Sequence, residues 1–540
     1  MPLVIPSRRH LVVDKASGIF AIAARAKNAI TRHGAEPVID STIGVGLSES
    51  GKPFLIPTFV STLEELLETK PEAICAYTPP AGAATLADLY AGSVLEGVTL
   101  PDDLVRKCIP THGGTGGLTL SITNLASKTV ISHAPYWENY ALITQQCGKE
   151  LRCFNLLDAE LELDVADFER VVTEVANEEG RVCLLINSPY SNPTGAAIEA
   201  SEWREIARVL AGVRGDKVLI VDLAYIDFGP RGRDPQDLAF LGDLFEAVPD
   251  LHVVLVPSLS KSMMAYGWRA GGAILLTRDK AEAAKWFDVM EGSIRGSNSN
   301  EVTAPQQALA AILASPEKRA AVALERQHCN EVVQRRFLSF NEAARDAGLK
   351  VSKPVGGYFA VVYVPSPLEV AKALRGARRL HGAGARARRP QDRPVRATAP
   401  QDRPHRPRDR RRAALIRGAF RAPRPLEGAG PSAPRSRRGP PRGASLRSRR
   451  RAQATGDGTP VATMVLVARG ASSPRGVGIP RRTSQHPLEG ATPSRRGRAT
   501  QCIVISVPMR RAISSAKVSS GSAASWRKNR VLRMKSSAPE

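Results

Sequence analysis

The stretch Val253-Val254-Leu255-Val256-Pro257-Ser258-Leu259-Ser260-Lys261-Ser262-Met263-Met264-Ala265-Tyr266-Gly267-Trp268-Arg269 decides how the chain is read. Its first four residues are an unbroken apolar run rich in Val, the pattern of a strand buried on both faces of a parallel sheet. Pro257 ends the run, and Lys261 follows close behind. A lysine just past a strand end sits at the mouth of a sheet, where open α/β folds bind ligands. In a dry pocket, or beside other cations, its amine loses proton affinity and can attack an aldehyde. Ser258, Ser260 and Arg269 add the hydroxyl and guanidinium donors that a phosphate needs. Taken alone, the stretch reads equally well as a surface lysine in a Ser-rich turn.

Three other segments change that balance. The apolar run 218–221 ends in Asp222, and a carboxylate at the end of a buried strand is costly without a positive partner. A protonated ring nitrogen is such a partner, and Tyr225, three residues on, is placed to donate to a phenolate oxygen. An Asp that caps the next helix is the plain alternative. The run 182–186 leads into Asn187-Ser188-Pro189-Tyr190-Ser191-Asn192-Pro193-Thr194-Gly195, where two prolines and a glycine fix a rigid turn and with it the Asn192 amide. Gly113-Gly114-Thr115-Gly116-Gly117 opens a helical pattern over 118–126, baring backbone N–H groups and the positive end of the helix dipole to an anion. It is neither a phosphate-binding loop of the Walker type nor a dinucleotide fingerprint. Each segment has an ordinary turn as its bland reading, so the weight lies in their joint occurrence.

Around these segments, short apolar runs at 128–132 and 272–276 alternate with helical patterns at 62–68, 83–95, 201–211, 280–290 and 304–314. A longer helical stretch covers about 317–347, and residues 351–364 look like strands of a smaller domain. The expectation is an α/β fold with a mostly parallel central sheet flanked by helices, plus a smaller α/β domain.

The order Gly114-Thr115-Gly116, Pro135-Tyr136-Trp137-Glu138-Asn139-Tyr140, Asn192-Pro193-Thr194-Gly195, Asp222 with Tyr225, then Ser258, Lys261 and Arg269 resembles the class I aminotransferases of pyridoxal-phosphate fold type I, the aspartate/aromatic branch above all. The resemblance covers about residues 20–370. It implies that Lys261 holds the cofactor covalently and later moves the substrate proton, and that Asp222 keeps the pyridine nitrogen protonated. It implies that Asn192 and Tyr225 bind the ring phenolate, that Gly114, Thr115, Ser258, Ser260 and Arg269 surround the phosphate, and that Trp137 stacks on the ring. Gly46, in Ile43-Gly44-Val45-Gly46, is implied beside the substrate carboxylate, with Trp137 and Asn192 also on the substrate side. In a homodimer Tyr77 is implied to reach the partner subunit's phosphate and Arg295 a substrate's distal carboxylate. An ordinary core Trp, a glycine turn, a loop Tyr and a surface Arg are the plain readings of those positions. The implied reaction moves an amino group between a dicarboxylic or aromatic amino acid and a 2-keto acid.

The charge is unevenly spread. The whole chain carries a formal +24, yet residues 1–370 hold 35 Lys and Arg against 45 Asp and Glu, leaving 41 against 7 in 371–540. The second part is rich in Arg, Pro, Ala and Gly, a composition that cannot offset the entropy of ordering the chain. It is expected to be a disordered basic tail, with the apolar islands 461–467 and 502–507 too isolated to make a core. A natural tail or a shifted reading frame in GC-rich coding DNA explains it, and the abrupt change inside an α/β pattern favours the second. The expected organisation is an N-terminal arm with part of the small domain (1–45), a cofactor-binding large domain (46–310), a linking helix with a partial small domain (311–370) and the tail (371–540).

The family's α-carboxylate arginine belongs to the small domain, and no tail arginine has a strand context to match it; Arg417 is the nearest candidate and is not adopted. Seven scattered cysteines without zinc spacing suggest a reducing compartment and no metal. No signal peptide and no membrane span are expected, so the cytoplasm is the default. Two rivals stay open: another fold-type-I enzyme such as a C–S lyase or decarboxylase, and a nucleic-acid-binding protein acting through the tail. The tail's sparse aromatics limit it to non-specific binding.

Overall fold

The computed structural model describes residues 44–83 and 85–364, the segments 19–33 and 38–39, the short stretches 463–464, 467–469 and 502–506, and isolated positions at 8, 11–12, 366–367, 369–370 and 373. Seven strands form the main sheet: β2 (Val105–Thr111), β3 (Thr129–Ala134), β4 (Glu150–Asn155), β5 (Arg181–Asn187), β6 (Asp216–Asp222), β7 (Leu251–Val256) and β8 (Gly271–Thr277), in the order β2-β8-β7-β6-β5-β3-β4. Strands β4, β3, β5, β6 and β7 are parallel, and β8 runs against both its neighbours. The sheet is therefore mostly parallel, as expected.

The middles of the central strands β5, β6 and β7 are apolar because both of their faces are covered. Along β5, Val182, Leu184 and Ile186 join one apolar layer while Cys183 and Leu185 join the other, and all five are buried. On the first face lie the helices Val165–Glu179, with Phe168, Val171 and Val175, and Ala200–Gly212, with Trp203, Ile206 and Leu210. Trp203 stacks on Phe240 with ring centroids 3.8 Å apart. On the second face lie the helices Gly113–Leu125 and Lys280–Ser297, through Leu118, Ile122, Trp286 and Met290. Each such side chain withdrawn from water contributes about 1.5–3 kcal/mol.

Strands β2 and β4 and the helix Val165–Glu179 are absent from the sequence expectation. β2 opens with Arg106 and Lys107 exposed, and β4 is half-exposed along most of its length, so neither edge strand carries a continuous apolar run. The helix has a clear i, i+3, i+4, i+7 stripe. It begins at Asp164, whose carboxylate accepts from the Asp167 N–H, and ends at Gly180 in the left-handed region.

A second, three-stranded antiparallel sheet has the order β11-β12-β9, from β9 (Phe359–Tyr363), β11 (Val467–Arg469) and β12 (Cys502–Ser506). A short parallel pair joins β1 (Val38–Ile39) to β10 (Thr463–Met464). This corrects two expectations. The apolar islands of the basic part are not left out of the fold: they pair with β9 and β1, because isolation in sequence is no bar to strand pairing in space. One tail arginine, Arg469, does stand in a strand, at the register of Cys502. Arg417 and the remainder of 371–540, including the expectation of disorder there, lie outside the described residues. Among the described residues no helix is long and apolar enough to cross a membrane.

Candidate active site

The carboxyl ends of β5, β6 and β7 stand side by side, and each delivers one polar group. Asp222 is the last residue of β6, and Asn187, opposite it in register, is the last of β5. The Asn187 side chain donates to the Asp222 carbonyl at 2.8 Å and accepts from the Asn192 N–H at 2.6 Å, so it ties the rigid turn to the strand. That turn docks on the segment that precedes β9: Val355 and Gly356 N–H groups donate to the Gly195 carbonyl. Gly195 has φ 67°, and a Cβ there would stand 2.3 Å from the Phe359 carbonyl oxygen, so only glycine fits.

Asp222 is buried, and burial raises its carboxyl above the usual range. Opposing that rise, Tyr140 donates to Oδ2 at 2.7 Å, Ala224 N–H donates to Oδ1 at 3.0 Å, and the Lys261 charge lies close enough to act. Tyr225 is buried, and its hydroxyl is held well above its ordinary value, by burial first and by Asp222 next, against a hydrogen bond with Asn192.

Lys261 rises from the single turn Leu259–Ser262 that follows β7. Its Nζ donates to the Gly44 carbonyl at 2.5 Å and lies 4.8 Å, 5.4 Å and 5.5 Å from the ring centroids of Tyr266, Tyr358 and Tyr225. Burial of the amine, with Arg269 in support and Asp222 opposing, pushes its pKa down to about 7. Tyr266 accepts from the Gly46 N–H at 2.9 Å and shares a hydrogen bond with Tyr358, which brings Gly46 to the same place.

The Gly-rich loop makes the third wall. Gly114 N–H donates to Ser258 Oγ at 3.3 Å, and Arg269 donates to Ser260 Oγ at 3.3 Å and to the Tyr266 carbonyl at 2.9 Å. Gly113 has φ 68°, and a Cβ there would come within 2.7 Å of the Arg269 guanidinium. The helix Gly113–Leu125 starts at this point, with Thr115 in its first turn. Backbone donors, two serines and a guanidinium thus converge on a space cleared of side chains, as a phosphate requires.

A match to the family described as aminotransferase class I and II runs over residues 38–381. The chain belongs to that family. Among its relatives are the tyrosine aminotransferase of Rhizobium meliloti, 29% identical over 284 residues that cover 52% of this chain and 70% of that protein. The aspartate aminotransferase of Escherichia coli is 25% identical over 319 residues, 57% of this chain and 77% of that protein. In three dimensions the chain is similar to an aminotransferase of Anaerococcus prevotii, with a TM-score of 0.65 and 25% identity, covering 70% of this chain and 91% of that one. The fold is also that of a Burkholderia pseudomallei aromatic-amino-acid aminotransferase covalently bound to pyridoxal phosphate, at a TM-score of 0.55 and 24% identity over 66% of this chain and 88% of that one.

This aminotransferase has residues that fit pyridoxal phosphate, the family's cofactor. A buried carboxylate, a half-buried amine of low proton affinity and a donor-lined cradle are the groups that its ring nitrogen, its aldehyde and its phosphate would need in turn. Lys261, Asp222, Tyr225, Asn192, Gly114, Ser258, Ser260, Arg269 and Gly46 are brought together. Trp137 is half-buried and lies edge-on to Tyr140 at 5.6 Å. Two expected positions stand apart: Tyr77 is 89% exposed, and Arg295, in the last turn of the helix Lys280–Ser297, is exposed and makes no ion pair among the described residues.

Four neighbours were not singled out by sequence as site residues: Tyr140, Tyr266, Tyr358 and the Gly44 carbonyl. A buried tyrosine in sequence carries no mark that separates core from site. Tyr140 is the one with a visible effect on chemistry. Its donation stabilises the Asp222 carboxylate, which would bias a shared proton towards a ring nitrogen bound there and away from Asp222. Tyr140→Phe is expected to lower kcat about tenfold, the scale of one hydrogen bond to a charged group. A kcat within twofold of the parent would remove Tyr140 from this role.

Proposed function

We propose that the protein moves an amino group between an amino acid and a 2-keto acid, with dicarboxylic or aromatic amino acids as donors. The observation that carries this reading is the joint placement of the Lys261 amine, its pKa about 7, and the buried Asp222 carboxylate, with the Gly-rich cradle beside them. Pyridoxal phosphate bound there supplies an aldehyde for the amine and a ring that draws electrons from the substrate Cα. Lys261 would be the base that takes the proton from the substrate Cα. Asp222 would hold the ring nitrogen's proton, and Asn192 and Tyr225 would hold the phenolate. The names of the relatives, aspartate and tyrosine aminotransferase, support the donor class.

The exposure of Tyr77 and Arg295 supports a homodimer in which both reach the partner's site. The six cysteines from Cys75 to Cys329 are free, which supports a reducing, cytoplasmic setting. Nucleic acid enters only as a non-specific ligand of the basic part.

The holoenzyme mixed with aspartate or tyrosine, and no acceptor, should release one keto acid per site and stop. Adding 2-oxoglutarate should restart it with ping-pong kinetics. Steady release of ammonia with pyruvate, or of carbon dioxide, would instead identify a lyase or a decarboxylase.

A further inference from the structure

A cavity of about 340 Å³ lies behind the lysine turn, between the helix Leu86–Val94, the helix Thr303–Ala314 and the first turns of the helix Pro316–Asp346. None of Asn192, Asp222, Lys261 and Arg269 lines it, although Ser258 touches both this space and the phosphate cradle. Its chemistry is lopsided. Asp227, 3% exposed, accepts from Arg233 at 3.1 Å and from Arg326 at 2.9 Å, both on Oδ1. Arg233 spends a further donor on the Val94 carbonyl at 2.9 Å, whereas Asp227 is the one acceptor that Arg326 has among the described residues. At the mouth, Arg319 stands 3.9 Å from Glu96. Three guanidinium groups face two carboxylates, which leaves one positive charge over.

Tyr90 lines the same cavity. It is 5% exposed, and its hydroxyl has no hydrogen-bond partner. The hydroxyl itself is closed off from the empty space, so the polar end of the cavity is set by the guanidinium groups. The rest of the wall is apolar, through Ile312, Leu309 and Met263.

We propose that this cavity is a second ligand site for a small carboxylate with an apolar body. Its carboxylate meets Arg326, and its hydrocarbon lies on Ile312, Leu309 and Met263. The occupant also bears on the catalytic turn, because Ser262 and Met263 line the cavity and close the turn from which Lys261 rises; the Ser262 hydroxyl donates to the Ser258 carbonyl at 3.1 Å.

The test is calorimetric titration of the holoenzyme, reduced with borohydride so that no turnover occurs, with 4-methylpentanoate. Arg326→Met removes the open cation. Ala323→Phe, on an exposed helical position that lines the cavity, narrows the space without disturbing Asp227. The parent should bind saturably, and each variant should bind at least about tenfold more weakly, the scale of one lost charged contact. Both unreduced variants should keep kcat within twofold of the parent in the absence of the acid. In the unreduced parent, bound acid should shift the pH midpoint of the lysine-bound cofactor's absorbance. Absence of binding up to about 50 mM overturns the proposal, since one charge-assisted contact would register there. Binding that a saturating amino-acid substrate displaces, and that neither variant weakens, overturns it too, because the acid then sits in the reaction site.

Discussion

Lys261→Ala is expected to abolish covalent capture of pyridoxal phosphate and to lower kcat by at least about 10⁴-fold. A positioned proton-transfer group alone is worth about 10²–10⁴, and the covalent route is lost with it. Borohydride treatment should then fix no cofactor to the chain, by mass or by absorbance. The parent adds a pH signature. With the amine at about 7, half of it is free at neutral pH, against about one part in 3000 at the ordinary value of 10.5. The rate at which the apoprotein captures cofactor should therefore be flat above about pH 8 and fall about tenfold per unit well below 7. A midpoint near 10 would mean that the amine is solvated, and the enclosure by Tyr225, Tyr266 and Tyr358 would have to be given up. A Lys261→Ala protein that still shows the lysine-bound absorbance would sink the assignment of Lys261 altogether.

How far the sequence reaches is visible residue by residue. Lys261, Asp222 and Asn192 are legible because each is a polar residue at a stated offset from an apolar run, and a parallel sheet turns that offset into a place: the carboxyl edge. Gly113 and Gly114 are legible because a helix that begins on glycines advertises bare N–H groups. The tyrosines are not. Tyr140 sits one turn on from Trp137 in an aromatic-rich segment, and nothing local says that its hydroxyl meets a carboxylate 82 positions away in the chain. The partners of β9 were illegible for the same reason. Strand pairing is non-local, and Cys502–Ser506 reads as an isolated apolar island until Phe359–Tyr363 is beside it. Tyr77 and Arg295 rest on resemblance alone: both are exposed in the single chain, and neither is brought to the site there.

Asp222→Asn is expected to cost about 10³-fold in kcat while leaving the fold and the phosphate cradle in place. The amide has the shape of the carboxylate and can still accept from Tyr140 or the Ala224 N–H through its one carbonyl oxygen. What disappears is the charge. An opposite charge about 4 Å from a ring-nitrogen proton is worth about 4 kcal/mol at an effective dielectric of 20, close to three decades in rate. Without it the proton leaves the ring, and the ring no longer draws electrons from Cα. Cofactor affinity should fall far less, because the Gly114, Ser258 and Arg269 contacts are untouched. Asp222→Ala would confuse the outcome by emptying a buried site. The sharper control is a cycle with Tyr140→Phe. If Tyr140 acts by biasing the proton that Asp222 holds, removing its hydroxyl from the Asp222→Asn enzyme has no charge left to act on, and its tenfold effect should vanish. Additive losses would mean that the two residues work independently. An Asp222→Asn enzyme within tenfold of the parent would mean that the carboxylate does not face the ring nitrogen at all.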